Sequence, residues 1–391
     1  MTRDLKIVSG AMLTWGFGEG MFYIFQPLYI QQFGADPIMI GTILGINGFV
    51  MAISQVPSGI LADKFGRRPL MWFSWFFGVA ATWMMALAPS LAYFVAGLFL
   101  YGFTSSVMAP LNSYAQEARG SWSVGKAVSF MSAAYNIGGV LGPLVGGIVG
   151  ETFNLLMVYY GSAVIFTIST VIVMFAGKQE TNNQKSGAEE IHFLRNQAFV
   201  GLMVTIFLIM FAVVLPQPLT ANFLQNQRGL SINKIGQLGA IGALGSAVLM
   251  LVFGHLRADM AIMIGQFGVL LFAGLIWLGG GIFWYGAGYF FLGGYRLCRA
   301  MTLALARPLV REFEVGFAFG VVESLNSLAF MLAPVIAGWI YNWRPVVLYP
   351  ISMGVLIFAM MLSYLMMRRS STERVENKDL VLIDVEMVDE A

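Results

Sequence analysis

The chain has 391 residues, 58% of them hydrophobic and only 11% charged, where a soluble domain carries about 25% charged residues. That balance excludes an ordinary water-soluble globule, and a net charge of +2 gives no reason to expect nucleic acid as a partner. A single cysteine, Cys298, excludes an internal disulfide; two distant histidines, His192 and His255, and no Ser-His-Asp or ligand cluster argue against a metal, a cofactor or catalysis.

Taken in chain order, the apolar stretches number twelve: 6–33, 38–62, 70–88, 91–116, 126–150, 153–177, 196–225, 231–256, 260–280, 282–307, 313–341 and 346–367. Leu70–Met85, Leu91–Pro110 and Ala198–Pro218 contain no charge, and about 20 residues of helix cross a ~30 Å hydrocarbon core. Barrel strands would alternate polar and apolar residues over about 10 positions, whereas these runs are apolar on every side. The first run lacks a small-residue cleavage site and precedes many others, so it reads as a span and not as a leader. The expected fold is all-α, with twelve transmembrane helices.

An even number of spans puts both termini on one side. On that side fall 17 cations; the other has Arg228, Lys234 and Arg344, and Arg296 and Arg299 lie inside a span, which together account for the 22 Lys and Arg. The positive-inside rule then places both termini in the cytoplasm of a plasma-type membrane.

The longest polar stretch between spans is Lys178–Arg195, midway along the chain. The flanking segments align with each other. A shift of 195 residues lays Gln32, Gly34, Ile40, Gly41, Gly59 and Leu61 on Gln227, Gly229, Ile235, Gly236, Gly254 and Leu256. A shift of about 191 lays Gln26, Pro27, Pro143 and Gly147 on Gln217, Pro218, Pro334 and Gly338. The division that follows is 1–177 as one six-helix bundle, 178–195 as a cytoplasmic linker, 196–367 as a second bundle and 368–391 as a tail. From Ser370 onward the tail has seven acids against Arg374 and Lys378.

Within the spans, four charged residues stand out. Glu19 lies about 13 residues into the first helix, roughly 20 Å deep, where a charge is costly and by default marks a functional site. Tyr23 and Gln26 share its face at i+4 and i+7. A proton or a cationic substrate would suit Glu19; a structural carboxylate is the plainer alternative. In the tenth helix Arg296 lies ~18 Å and Arg299 ~13 Å from the cytoplasmic end, and Glu323 reaches about 15 Å into the eleventh. Glu323 therefore pairs most simply with Arg299. Arg296 is left to hold an anionic substrate group or to pair with Glu19. Asn112, Gln217 and Asn222 are polar candidates in helices four and seven. The 25 Met and 14% aromatic residues give soft, adaptable walls, suited to hydrophobic substrates, although most must be core and lipid-facing filler.

Between the second and third spans the chain reads Gly59-Ile-Leu-Ala-Asp63-Lys64-Phe65-Gly66-Arg67-Arg68-Pro69. This resembles the loop joining helices two and three of the major facilitator superfamily. The resemblance implies two pseudo-symmetric six-helix bundles with a site between them, alternating access, a cavity lined by helices one, four, seven and ten, and a charged latch built on Gly59, Asp63, Gly66, Arg67 and Arg68. Glu117 and Arg119, at the end of helix four, are candidates to join it. The corresponding stretch of the second half, Gly254-His-Leu-Arg257-Ala-Asp259, keeps one cation and a displaced acid.

The fifth helix carries Gly138-Gly139-Val-Leu-Gly142-Pro143-Leu-Val-Gly146-Gly147, similar to a motif of the superfamily's proton-coupled exporters. Its glycines permit close helix approach and Pro143 removes one backbone bond, which predicts a tight, bendable interface between the halves. One position departs from the exporters: the Arg they carry in helix four is here Leu98, so coupling must use Glu19 or the Arg296, Arg299 and Glu323 cluster. The resemblance thus implies proton-coupled efflux of hydrophobic or amphipathic molecules, with protons, the substrate and the bilayer as partners and a monomer as the expected state. Transport of a lipid-like or metabolite anion held by Arg296 is a second reading, and a non-transporting receptor on the same fold a third.

Overall fold

The computed structural model describes residues 1–65, 67–177, 197–307 and 315–366, with side chains described except at 55–65, 67, 108–109, 197–199 and 315–319. The latch residues Gly59, Asp63, Gly66 and Arg67 lie outside the described side chains, as do the linker and the acidic tail. Among the described residues there is helix after helix and no strand. Eight helices are long and apolar enough to cross a membrane, so the chain is an integral membrane protein.

The helical stretches run in series. The first is α1 (Arg3–Tyr23) and α2 (Gln26–Gln32), followed by α3 (Pro37–Phe65) and α4 (Arg67–Ala86). The fourth is α5 (Leu91–Gly102) and α6 (Met108–Glu117), joined by a 3-10 turn over Phe103–Val107; then come α7 (Val124–Thr152) and α8 (Leu155–Met174). The seventh is α9 (Gln197–Val214) and α10 (Thr220–Asn226), followed by α11 (Ile232–Phe253) and α12 (Ala258–Leu278). The tenth is α13 (Ile282–Leu292) and α14 (Gly294–Ala306), then α15 (Val315–Trp343) and α16 (348–366).

The first, fourth, seventh and tenth stretches are each interrupted where a continuous helix reads naturally from hydropathy. Pro27, and Pro216 with Pro218, cannot donate to the helix ladder, and Gly293-Gly294 joins α13 to α14. Local bonds take up the freed groups: Thr220 Oγ1 donates to the Pro216 carbonyl at 2.6 Å, and Gln217 Nε2 donates to that of Val213. Irregular backbone at membrane depth is tolerated where protein or a cavity surrounds it.

In the first half α1 lies on α7 and α8, and α4 on α5 and α8; in the second α12 lies on α13 and α14, and α15 on α9. Trp15, Tyr101 and Phe166 form an aromatic knot in the first half, with ring centroids 4.5–6.3 Å apart. Beside it Trp75 Nε1 donates to Ser169 Oγ at 2.9 Å, and that hydroxyl donates to the Ala11 carbonyl at 2.7 Å.

Two seams join the halves, α3 with α15 and α7 with α11. A Cβ on Gly41 would lie 2.2 Å from the Pro334 carbonyl oxygen, and one on Gly236 would lie 2.4 Å from that of Pro143. The residues that correspond between the halves in sequence therefore make the same contact twice. The fifth-helix expectation needs a correction. Cβ atoms on Gly138, Gly142 and Gly146 would lie 2.1–2.3 Å from the carbonyls of Leu13, Phe17 and Met21. That i, i+4, i+8 stripe seats α1 inside the same half. Only the neighbouring stripe, through Pro143 and Gly147, meets α11 across the seam.

Candidate functional site

A cavity of about 370 Å³ lies between the halves. From the first half it is lined by Glu19, Tyr23, Gln26, Asn47, Tyr135 and Pro143, and from the second by Gln217, Tyr289, Tyr295, Arg296, Arg299 and Phe330. Its outer limit is where the halves meet. There Gln31 Oε1 accepts from Asn226 Nδ2 at 3.0 Å and from Asn222 Nδ2. Asn222 Nδ2 also donates to the Pro27 carbonyl at 3.2 Å. Nearby, the Asn233 amide, in the first turn of α11, donates to Glu151 Oε2 at 3.2 Å across the α7–α11 seam.

Tyr135 Oη donates to Glu19 Oε2 at 2.8 Å. Tyr135 is fixed by a close helix crossing: a Cβ on Gly16 would lie 2.2 Å from its carbonyl, so α1 and α7 bring the carboxyl and the phenol together. Tyr101 and Trp15 also interact with the Glu19 carboxyl, and Arg296 lies within its electrostatic reach. Arg296 Nε donates to Tyr295 Oη at 2.9 Å. Arg299 Nη2 lies 2.9 Å from Glu323 Oε2, with its guanidinium 5.6 Å from the Phe330 ring.

Tyr23 is 54% exposed and Gln26 is buried, both on the cavity wall. Gln217 lines the cavity at the α9–α10 break. Asn222 does not: it is buried at the outer closure, where it ties α10 to α2. Asn112 is likewise away from the cavity. Among the described residues the fourth helical stretch contributes nothing to the lining, contrary to the one-four-seven-ten expectation. The reason is packing: the Tyr101 ring stacks into the knot with Trp15 and Phe166, and Gly102 sits against Asn47 and Val50 of α3. Leu98 is fully buried in the same core. Sequence reasoning missed Tyr135 and Tyr295. A signal existed for Tyr295, which adjoins Arg296 in sequence, whereas no spacing links Tyr135 to Glu19.

At the opposite end, near the termini, Arg68 lies over the Trp72 ring at 4.1 Å. Asp4 Oδ1 accepts from the Gly177 amide at 3.2 Å, and Tyr114 Oη donates to the Gly177 carbonyl at 2.8 Å. Glu117 and Arg119 are exposed at the end of α6. In the second half Arg257 pairs with Asp259 at 2.7 Å, so the degenerate copy of the loop closes on itself.

Two sets of helices meet along two seams, with a charged, aromatic cavity between them. The family profile of the Major Facilitator Superfamily matches residues 8–305, and the chain belongs to that superfamily, whose members are transporters and not enzymes. It is similar to an uncharacterized MFS-type transporter of Methanocaldococcus jannaschii, 22% identical over 51% of this chain and 54% of the relative. The chain thus spans about half the length of that relative. A tetracycline resistance protein, class B, of Escherichia coli is 22% identical over 88% of this chain and 89% of its own. The multidrug resistance protein MdtG of Dickeya zeae is 28% identical over 62% of each. Among solved structures, the nucleoside transporter NupG superposes with a TM-score of 0.82 at 12% identity, covering 93% of this chain and 100% of that one, a likeness of fold alone.

Proposed function

We propose that the protein is a proton-coupled exporter of amphipathic small molecules, working by alternating access in a plasma-type membrane with both termini in the cytoplasm. The observation that carries the reading is Glu19, a carboxyl on the wall of the central cavity, hydrogen-bonded to Tyr135 and within reach of Arg296. A carboxyl in a low-dielectric, water-accessible site can exchange a proton, and the exchange changes the charge the cavity offers its cargo. Export is supported by the likeness to a tetracycline resistance protein and a multidrug resistance protein. The two-bundle division at 178–195 is part of the same proposal, as is a monomeric working unit.

The described cross-half contacts run along the α3–α15 and α7–α11 seams, from Pro37 and Gly338 to Gly48 and Phe330 on the first. In this reading the loop at 59–68 latches one state of the alternating cycle. The test is transport in proteoliposomes with and without an imposed pH gradient. Wild-type protein is expected to move substrate in response to the gradient and Glu19→Gln to lose that response; a full response in the variant removes Glu19 from the coupling step.

A second reading, transport of an organic anion, is favoured by Arg296, which lines the cavity and donates to the Tyr295 hydroxyl. It predicts that Arg296→Gln abolishes binding of anions while leaving neutral amphiphiles unaffected.

A further inference from the structure

Glu19 and Arg296 face one cavity from opposite halves, yet no ion pair joins them among the described residues. Each is held instead by a tyrosine of its own half, Glu19 by Tyr135 at 2.8 Å and Arg296 by Tyr295 at 2.9 Å. Opposite charges kept apart in a low-dielectric site forgo their mutual attraction while still bearing the cost of desolvation. A third group that bridges them recovers that attraction. Arg299, by contrast, is neutralised in place by Glu323 at 2.9 Å, so among the described residues the open charges of the cavity are Glu19 and Arg296.

We propose, building on the transporter reading above, that the cavity recognises a dipolar amphiphile, with an ammonium group seated at Glu19, a carboxylate or similar anion at Arg296, and an apolar body against Tyr23, Tyr289 and Phe330. The charge arrangement disfavours either lone ion. A cation at Glu19 alone sits within the repulsive field of Arg296, and an anion at Arg296 alone sits within that of Glu19. A zwitterion satisfies both. A volume of about 370 Å³ falls in the range that takes a drug-sized molecule. A proton on Glu19 displaces the ammonium end while the anionic end stays on Arg296. Cargo and proton then compete at one group, as exchange requires.

The experiment uses two congener series, each with zwitterionic, cationic and anionic forms. One is ciprofloxacin with its ethyl ester and its N-acetyl derivative. The other is the flexible 11-aminoundecanoic acid with its methyl ester and N-acetyl derivative. Binding to the full-length detergent-purified protein is measured by titration calorimetry. The zwitterion is expected to bind at least about tenfold tighter than both singly charged congeners in one series or both. Glu19→Gln is expected to erase its advantage over the anion, and Arg296→Gln its advantage over the cation. A zwitterion advantage below about tenfold in both series overturns the proposal, and so does the absence of binding in both series. The comparison on wild-type protein decides the matter even where a variant fails to fold. Transport of the same probes under a pH gradient is scored separately. Tight zwitterion binding with no gradient-driven movement removes the exporter reading and leaves dipolar recognition standing.

Discussion

Gln31 accepts a hydrogen bond from the side-chain amide of Asn226 at 3.0 Å, joining α2 to α10 across the boundary between the halves. Asn222 donates to the same oxygen one turn earlier. The clasp is built of neutral amides, each bond contributing about 0.5–1.5 kcal/mol net, so it closes the cavity without a large barrier to reopening and without sensitivity to salt. Cysteines at both positions, Gln31→Cys with Asn226→Cys, bridged by a short bis-methanethiosulfonate cross-linker, are expected to stop turnover while leaving substrate binding intact. Reduction is expected to restore transport. Undiminished transport by fully cross-linked protein would show that this end never opens.

The seams make a second prediction. Gly41 and Gly236 admit no side chain, because a Cβ would lie 2.2 Å from the Pro334 carbonyl oxygen and 2.4 Å from that of Pro143. Overpacking of this kind costs about 1–3 kcal/mol, and here it falls on the state in which the seam is closed. Gly41→Val or Gly236→Val is therefore expected to shift the population toward the opposite state by roughly tenfold to a hundredfold. Cysteine accessibility on the two faces of the cavity reads that shift. An unchanged pattern in both variants would mean that the seams do not report on the transport cycle.

Much of this arrangement was legible in the chain itself. Hydropathy locates the helices, and the shifts of 195 and 191 residues pick out Gly41, Gly236, Pro143 and Pro334 as correspondents. Depth along a helix sufficed to match Arg299 with Glu323, because both distances are counted from the same membrane face. What was not legible depends on rotation about helix axes, which depth does not fix. The stripe through Gly138, Gly142 and Gly146 turns toward α1, and Asn222 turns toward the outer clasp. Three of the four helix breaks are signalled by Pro27, by Pro216 with Pro218, and by the Gly293-Gly294 pair, yet hydropathy runs straight through all four. Helix four fell out of the cavity for a reason no single helix contains: the Tyr101 ring is drawn into an aromatic knot with α1 and α8.

The Arg299–Glu323 pair is half-exposed to the cavity, with side chains 41% and 29% accessible. Breaking it is expected to fall between the ~0–1 kcal/mol of an exposed pair and the ~3–5 kcal/mol of a buried one. Arg299→Glu alone leaves two carboxylates facing each other, and Glu323→Arg alone leaves two guanidinium groups, so each single variant is expected to melt several degrees below wild type in detergent. The double variant is expected to recover most of that loss. Additive losses would mean that each residue is stabilised by something other than its partner.

The terminal end of the molecule carries the remaining prediction. Arg68 lies 4.1 Å over the Trp72 ring, a contact worth about 0.5–2 kcal/mol, which fixes one cation of the loop against α4. If the Gly59–Arg68 loop latches the alternate state, its charges act on the rate of interconversion and not on the cavity. Asp63→Asn and Trp72→Ala are then expected to lower turnover several-fold while leaving substrate affinity at the wild-type value. The mechanism behind the split is simple: Trp72 does not line the cavity, so a latch role slows the exchange between states and leaves cargo recognition by Glu19, Arg296 and the aromatic wall unchanged. Wild-type turnover in both variants would reduce the loop to a topological anchor, and a matched loss of affinity would mean that it reshapes the site itself.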